Sequence, residues 1–161
     1  VVNKGPMDIE FELLLSGKMF LALILGGIVG IEREREHQYT GIRTFACICV
    51  AACLFVSVAA HLTEDKSAIS RMLAAIATGL GFIGAGIIFR DERNTPKGLT
   101  TAAGLWSTSA IGVAIALNMF VIAVASTLII LLIFAINKFS WYQRFLKVLF
   151  KSKQNDENTE L

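Results

Sequence analysis

Long apolar runs constrain this chain more than any other feature of its sequence. About 20 helical residues are needed to cross roughly 30 Å of hydrocarbon. The sequence offers five runs of about this length, at residues 13–31, 42–62, 69–89, 99–117 and 119–136. The segments between the first four runs are charged and would be costly to desolvate in hydrocarbon. The pattern therefore predicts an all-α, polytopic transmembrane bundle with five spans.

The composition excludes several other classes of protein. Hydrophobic residues make up 55% of the chain and charged residues only 17%, which is too apolar for a soluble domain. The net charge of +2 is too small for a nucleic-acid-binding surface, so no nucleic-acid partner is expected. Cys47, Cys49 and Cys53 match neither a zinc knuckle nor a redox pair and are predicted to be reduced thiols. We expect no enzyme activity, cofactor or metal site.

The two ends of the chain are predicted to lie outside the bundle. Residues 1–6 resemble a cloning remnant with a Gly-Pro scar, which leaves residues 7–137 for the membrane domain. Residues 138–153 place aromatic and basic side chains on opposite faces of a helix, which predicts a basic amphipathic helix on anionic lipid. The alternative is a frayed end of the fifth span. Residues 154–161 are polar and are predicted to form a disordered tail.

The distribution of basic residues predicts the orientation. In a five-span arrangement eleven Lys and Arg lie on one side of the membrane and four on the other, so the positive-inside rule predicts an external N-terminus and a cytoplasmic C-terminus. The stretch 99–136 would be about 57 Å long as one helix at 1.5 Å per residue. It must therefore fold back, and Asn118 is the predicted turn.

Small residues recur at helical spacing in the first, third and fourth runs. Helices in lipid gain little hydrophobic drive toward each other, so they approach closely only where small residues line one face. The third run has such stripes on two faces and is predicted to be the centre of the bundle. The fifth run has no glycine and is predicted to face lipid. The predicted packing glycines are Gly26, Gly30, Gly79, Gly81, Gly84, Gly86, Gly104 and Gly112.

Two motifs with a possible ligand have simpler explanations. Gly79 to Gly84 matches G-x-G-x-x-G, but a dinucleotide site needs a preceding strand and a polar crevice. The motif lies inside an apolar run, which favours close helix packing. Glu34 and His37 are three residues apart and could share a metal ion, yet no second His or Cys is near, which favours a solvated charged turn.

Polar residues at the cytoplasmic ends of the predicted helices form the one candidate functional cluster. Glu32, Glu34, Arg43 and Arg90 lie beside closely packing segments, which predicts partial burial and assigned partners. The alternative is solvated helix ends with weak local ion pairs. The full predicted cluster is Glu32, Arg33, Glu34, Arg43, Thr44, Arg90, Thr100, Thr101 and Trp106.

Four ordered motifs within this chain resemble the membrane domain of the MgtC/SapB family. They are Gly26-Gly-Ile-Val-Gly-Ile-Glu-Arg-Glu-Arg35, Gly41-Ile-Arg-Thr44, Gly79-Leu-Gly-Phe-Ile-Gly-Ala-Gly86 and Gly98-Leu-Thr-Thr-Ala-Ala-Gly-Leu-Trp106. The resemblance runs from about Leu13 to Asn118. It implies a protein of the bacterial inner membrane that is linked to growth in low magnesium, acid adaptation and survival in hosts.

The resemblance leaves two hypotheses for the function. One is a regulatory protein that modulates other membrane machinery, such as the ATP synthase or phosphate uptake. The other is an oligomeric transporter or channel for Mg²⁺ or another ion, with the cytoplasmic Glu/Arg/Thr cluster as its vestibule. The expected partners are the lipid bilayer, with anionic lipid at the C-terminal helix, and in addition further copies of the chain, another membrane protein complex, or both. Longer family members carry a soluble domain after the fifth span, and functions of that domain do not carry over.

Overall fold

A computed structural model describes residues 9–36, 40–92 and 94–136 of the chain. Its five helices and one short hairpin follow in chain order: α1 Ile9–Arg35, α2 Ile42–Leu62, α3 Lys66–Ile87, β1 Phe89–Arg90, β2 Pro96–Lys97, α4 Leu99–Ala116 and α5 Phe120–Ala135. The all-α helical bundle predicted from the apolar runs is confirmed. The predicted cloning remnant, the amphipathic helix at 138–153 and the tail at 154–161 lie outside the described residues.

Four of the helices, α1 to α4, are long and apolar enough to cross a membrane. Helix α5 has 16 residues and is shorter than a typical span. Helix α4 ends at Ala116, and Asn118 has a φ of 62°, a left-handed conformation that asparagine tolerates better than most residues. Helices α4 and α5 then pack against each other. The number of spans and their orientation in the membrane stay predictions.

Helices α2 and α4 form the centre of the bundle. Helix α2 packs against α1, α3 and α4, and α4 contacts each of the other four helices. Phe45 and Cys49 of α2 and Ile111 and Ile115 of α4 are fully buried in the shared core. Cys47, Cys49 and Cys53 are free thiols, and the two buried ones serve as small apolar residues of this core.

Glycines of α1 and α4 let these helices approach α2 closely. A Cβ atom on Gly26 would lie 2.7 Å from Cys49 Cβ, and one on Gly30 would lie 3.0 Å from the backbone nitrogen of Ile42. A Cβ on Gly112 would collide with the carbonyl oxygen of Cys49. In each case the space for a side chain is occupied by α2, which is how small residues bring helices together.

The prediction that the third apolar run forms the centre of the bundle is wrong. Helix α3 has no buried residue, and a Cβ on Gly79, Gly81 or Gly86 would meet nothing within 4 Å. Among the predicted packing glycines of α3, Gly84 alone reaches a neighbour, Ala102 of α4, at 3.5 Å. A stripe of small residues permits close contact but does not by itself place a second helix against it. In this bundle the close glycine contacts are those of α1 and α4 with α2.

Helix α5 is less exposed than the sequence predicts. Most of its side chains are exposed, but Ala123, Thr127, Ile130 and Phe134 are buried. These residues recur every three or four positions and so form one stripe on the helix. The stripe packs against the rest of the bundle, and its last member, Phe134, reaches the candidate site.

Candidate functional site

The residue that organises the predicted cytoplasmic end of the bundle is a buried arginine. Arg33 lies in the last turn of α1 and is only 4% exposed. Its guanidinium carbon is 4.3 Å from the centre of the Phe134 ring, a distance typical of a cation–π contact. A positive charge in the last turn of a helix also interacts favourably with the helix dipole. Arg33 therefore joins the ends of α1 and α5.

Arg33 lines a pocket of about 310 Å³ between the ends of α1, α4 and α5. We call it the end pocket. It is lined by Arg33, Glu36, Pro96, Lys97, Gly98, Leu99, Thr100, Thr101, Ile133 and Phe134. Thr101 is 3% exposed and Thr100 is exposed, so the predicted arginine and the two predicted threonines do meet. Phe134, Lys97 and Glu36 were not predicted, because a phenylalanine in an apolar run and charges in a loop carry no distinctive signal.

The charged residues that were predicted to be partly buried are mostly exposed. Glu34, Arg43 and Arg90 are exposed, and Glu32 is half-buried. Spacing along a helix places Arg33 on a different side from Glu32 and Glu34, and the sequence does not show which of these sides meets α4 and α5. The prediction of partial burial is therefore wrong for Glu34, Arg43 and Arg90, and the buried charge among the described residues at this end is Arg33.

Glu34 has a structural role at the junction of α1 and α2. Its Oε2 atom accepts a hydrogen bond of 3.2 Å from the backbone N–H of Ile42, the first residue of α2. Side-chain oxygens at this position satisfy N–H groups that have no partner within the helix. A Cβ atom on Gly41 would lie 2.7 Å from Glu34 Oε2. Gly41 therefore makes room for the carboxylate that caps α2.

We expect Glu34→Ala to lower the thermal unfolding temperature of the detergent-solubilised protein modestly, because α2 loses this cap. Loss of a capping side chain typically costs about 0.5–2 kcal/mol, and an exposed carboxylate belongs at the low end of that range. Differential scanning fluorimetry would measure the shift. Glu92→Ala, which removes an exposed carboxylate from the hairpin, is the control. Equal shifts for both variants would contradict the capping role.

The remaining predicted site residues lie outside the lining of the end pocket. Arg90 Nη1 donates a 2.7 Å hydrogen bond to Asn94 Oδ1 within the β-hairpin. Arg43 is exposed and Thr44 is half-buried near the start of α2. Trp106 is 54% exposed and lines a groove between α3 and α4 with Leu73. The single vestibule predicted from the sequence is therefore divided among separate contacts.

A lysine at the opposite end of the bundle makes a contact that the sequence analysis missed. Lys18 Nζ donates a 2.9 Å hydrogen bond to the carbonyl oxygen of Ala116, the last residue of α4. The final carbonyls of a helix have no partner within it, and a cation there is favourable. Nearby, the rings of Phe11 and His61 stack at 3.7 Å. The predicted five-span topology places Lys18, His61 and Ala116 at the same end of the bundle. This shared position is the signal in the sequence that could have indicated the contact.

The structure also bears on the two alternative motifs. Gly79 to Gly84 lies in the interior of α3, with no strand before it among the described residues, so the dinucleotide geometry is not formed. The described residues contain no group of three or more His, Cys, Asp or Glu side chains placed to hold a metal ion. The Glu34–His37 pair falls partly outside the described residues, since His37 is not among them.

The fold defines a helical-bundle protein with four helices long and apolar enough to cross a membrane. The sequence model of the MgtC family matches residues 19–140, and the chain belongs to this family. The matched region contains α2 to α5 and most of α1, including Arg33 and all the threonines of the end pocket.

Three relatives illustrate the range of the similarity. Protein MgtC of Brucella abortus is 39% identical over 115 residues, which cover 71% of this chain and 48% of the relative. Protein MgtC of Salmonella typhimurium is 38% identical over 113 residues, with 70% and 48% covered. An uncharacterized protein of Haemophilus influenzae is 34% identical over 128 residues, with 74% and 54% covered. The chain thus spans about half the length of these curated relatives. No solved structure gives a significant match.

Proposed function

We propose that the chain is a multi-pass protein of the bacterial inner membrane that supports adaptation to low magnesium or acid by modulating other membrane machinery. The ATP synthase and phosphate uptake are the proposed targets, on the basis of membership in the MgtC family. A regulator of this kind acts through contact with a partner and needs no conduction path of its own. The packing of α4 is the structural observation that supports a regulator over a channel.

The face of α4 that carries glycines and threonines, which would line the pore if the chain were a channel, is closed by other helices. A Cβ on Gly104 would lie 2.7 Å from the Phe134 ring and 3.3 Å from the Phe45 ring, and Gly112 abuts Cys49. Thr108 lies between these glycines and is fully buried. Its hydroxyl donates a 2.8 Å hydrogen bond to the carbonyl oxygen of Gly104. This face therefore forms a helix interface within the chain.

Helix α3 is the surface that we propose for contact with a helix of another membrane protein. Its residues Ala74, Thr78, Gly81 and Ala85 follow one another every three or four positions and are all exposed. Small residues at this spacing permit close approach of a second helix in lipid. The more covered side of α3 is already used against α2 and α4, so the exposed stripe is free for a partner.

This proposal predicts that bulk on the exposed stripe removes the modulating effect. ATP-driven proton pumping by inverted membrane vesicles, followed with a pH-sensitive dye, should slow when the wild-type chain is expressed. Ala85→Leu should restore most of the pumping rate, because a leucine holds the partner helix away. Ala125→Leu adds the same bulk at an exposed alanine of α5 and should retain the inhibition. The same variants would be compared in phosphate-uptake assays.

Purified protein in liposomes separates this proposal from the ion-transport alternative. Under the proposal, fluxes of Mg²⁺, H⁺ and phosphate should equal those of protein-free liposomes. A flux above that background would contradict the regulator and favour a transporter or channel. Equal effects of Ala85→Leu and Ala125→Leu on pumping would remove α3 as the contact surface.

A further inference from the structure

The end pocket contains a buried charge with an unused hydrogen-bond donor. Arg33 is 4% exposed, yet its Nε atom has no hydrogen-bond partner among the described residues. Phe134 covers one face of the guanidinium, but an aromatic ring beneath that face accepts none of its in-plane N–H groups. Buried charges are costly unless they are paired and hydrogen-bonded. The negative charges of Glu36 and Glu32 act on this guanidinium, but its Nε donor has no acceptor in the described part of the chain, and the end pocket beside it provides space for a negatively charged ligand.

The first turn of α4 supplies further donors to the end pocket. Its lining includes Gly98, Leu99, Thr100 and Thr101, the N-cap and first three residues of an 18-residue helix. The first N–H groups of a helix lack acceptors within the helix and attract anions together with the helix dipole. Gly98, with a φ of 85°, makes no side-chain cap. No side chain of the N-cap residue therefore competes with a ligand oxygen for these N–H groups.

The charges around the end pocket favour a protonated or substituted oxyanion over a bare one. Arg33 and Lys97 contribute two positive charges to the lining, and Glu36 contributes one negative charge. Lys97 Nζ also lies 3.8 Å from Asp91 Oδ2. The carboxylate of Glu36 repels a fully ionised oxyanion and favours a ligand that carries a hydroxyl or ammonium group beside its phosphate. Hydrogenphosphate carries a hydroxyl on the phosphate itself, and the headgroup of phosphatidylglycerol carries hydroxyl groups beside its phosphate, whereas phosphatidylcholine has no such donor.

We propose that the end pocket binds a phosphate group, held between the Arg33 guanidinium and the first turn of α4. The guanidinium fork matches phosphate geometry, and the volume of about 310 Å³ is roughly ten times the 30 Å³ that one water occupies in the liquid. Ile133 and Phe134 give the end pocket an apolar wall on its α5 side. The phosphate comes either from free phosphate or from a lipid headgroup. The site does not depend on the proposed regulatory function.

Two binding experiments on the whole 161-residue chain distinguish these sources. In the first, inorganic phosphate is titrated by isothermal calorimetry into protein in phosphatidylcholine nanodiscs. In the second, protein from nanodiscs containing phosphatidylglycerol is analysed by native mass spectrometry for retained lipid. Saturable binding in the first experiment identifies free phosphate as the ligand. Retained phosphatidylglycerol without phosphate binding identifies a lipid headgroup.

Arg33→Gln and Arg35→Gln form a matched pair for both experiments. Each removes one positive charge from the last turn of α1, but Arg35 is exposed and does not line the end pocket. Arg33→Gln should weaken binding by about tenfold or more, as expected for the loss of a charge-assisted hydrogen bond, whereas Arg35→Gln should change it by less than about twofold. Lys97→Met, at an exposed position of the short strand β2, should weaken binding without affecting folding, and it serves if Arg33→Gln fails to fold. Absence of binding in both experiments, or equal losses for Arg33→Gln and Arg35→Gln, would overturn the proposal. So would unchanged binding by Lys97→Met.

Discussion

Gly112→Ala is expected to destabilise the bundle strongly. The added Cβ atom would collide with the carbonyl oxygen of Cys49 and would lie 3.1 Å from Ala52 Cβ. Both atoms belong to the interior of α2, which cannot yield as the end of a flexible side chain can. Helices α2 and α4 would have to move apart along their length, and overpacking of this kind typically costs about 1–3 kcal/mol. Scanning fluorimetry in detergent should show a clear drop in the unfolding temperature, with less monodisperse protein on gel filtration.

Gly81→Ala is the matched control for Gly112→Ala, because it makes the same change in a helix where nothing lies within 4 Å. Alanine favours the helix over glycine by up to about 1 kcal/mol, so Gly81→Ala should leave the unfolding temperature unchanged or raise it. Gly81→Leu should also retain the fold. If Gly81→Leu unfolds the protein while Gly112→Ala does not, α3 is central and the packing described above is wrong.

Phe134→Ala is expected to produce the second large loss of stability. Phe134 is 6% exposed, its ring fills the space beside Gly104, and it supports the guanidinium of Arg33. Phe→Ala in a packed core typically costs about 3–5 kcal/mol, and loss of the ring also leaves the buried charge of Arg33 without its aromatic neighbour. The unfolding temperature should fall by more than for any exposed phenylalanine.

Phe82→Ala provides the comparison for Phe134→Ala, since Phe82 of α3 is 84% exposed. It should change the unfolding temperature little in detergent. Gly104→Ala should partly mimic Phe134→Ala, because its Cβ would lie 2.7 Å from the Phe134 ring and displace it. Similar unfolding temperatures for Phe134→Ala and Phe82→Ala would show that α5 does not dock as described.

The helices themselves were predictable because each depends on a local property. An apolar run of about 20 residues bounded by charges specifies a helix with little help from the rest of the chain. For this reason α2 begins and ends at Ile42 and Leu62, the limits of its apolar run. The reversal between α4 and α5 followed from length, since one helix over 99–136 would be about 57 Å long at 1.5 Å per residue, and its position at Asn118 followed from the preference of asparagine for turns. The β-hairpin of Phe89–Arg90 and Pro96–Lys97 was not predicted, because two-residue strands leave no periodic signal.

The partners of each helix were less predictable. Gly26, Gly30, Gly104 and Gly112 do lie at close helix contacts, as predicted, whereas Gly79, Gly81 and Gly86 do not. The two groups look alike in the sequence, because a small residue indicates only that another helix can pack closely there. Which helix packs against it depends on the shape of that helix and on the loops that orient the pair.

The candidate site shows the same division. The sequence by itself determined a helical bundle, the helix ends that carry charge, and the threonines that begin α4. Only the tertiary structure decided that Arg33, rather than Glu34, Arg43 or Arg90, is buried, because burial of a side chain depends on how its helix is rotated toward its neighbours. That rotation is set by the contacts of α1 and α4 with α2 through Gly30 and Gly112 and by the ring of Phe134 beneath Arg33. All of these contacts join residues distant in the sequence, so no local pattern records them.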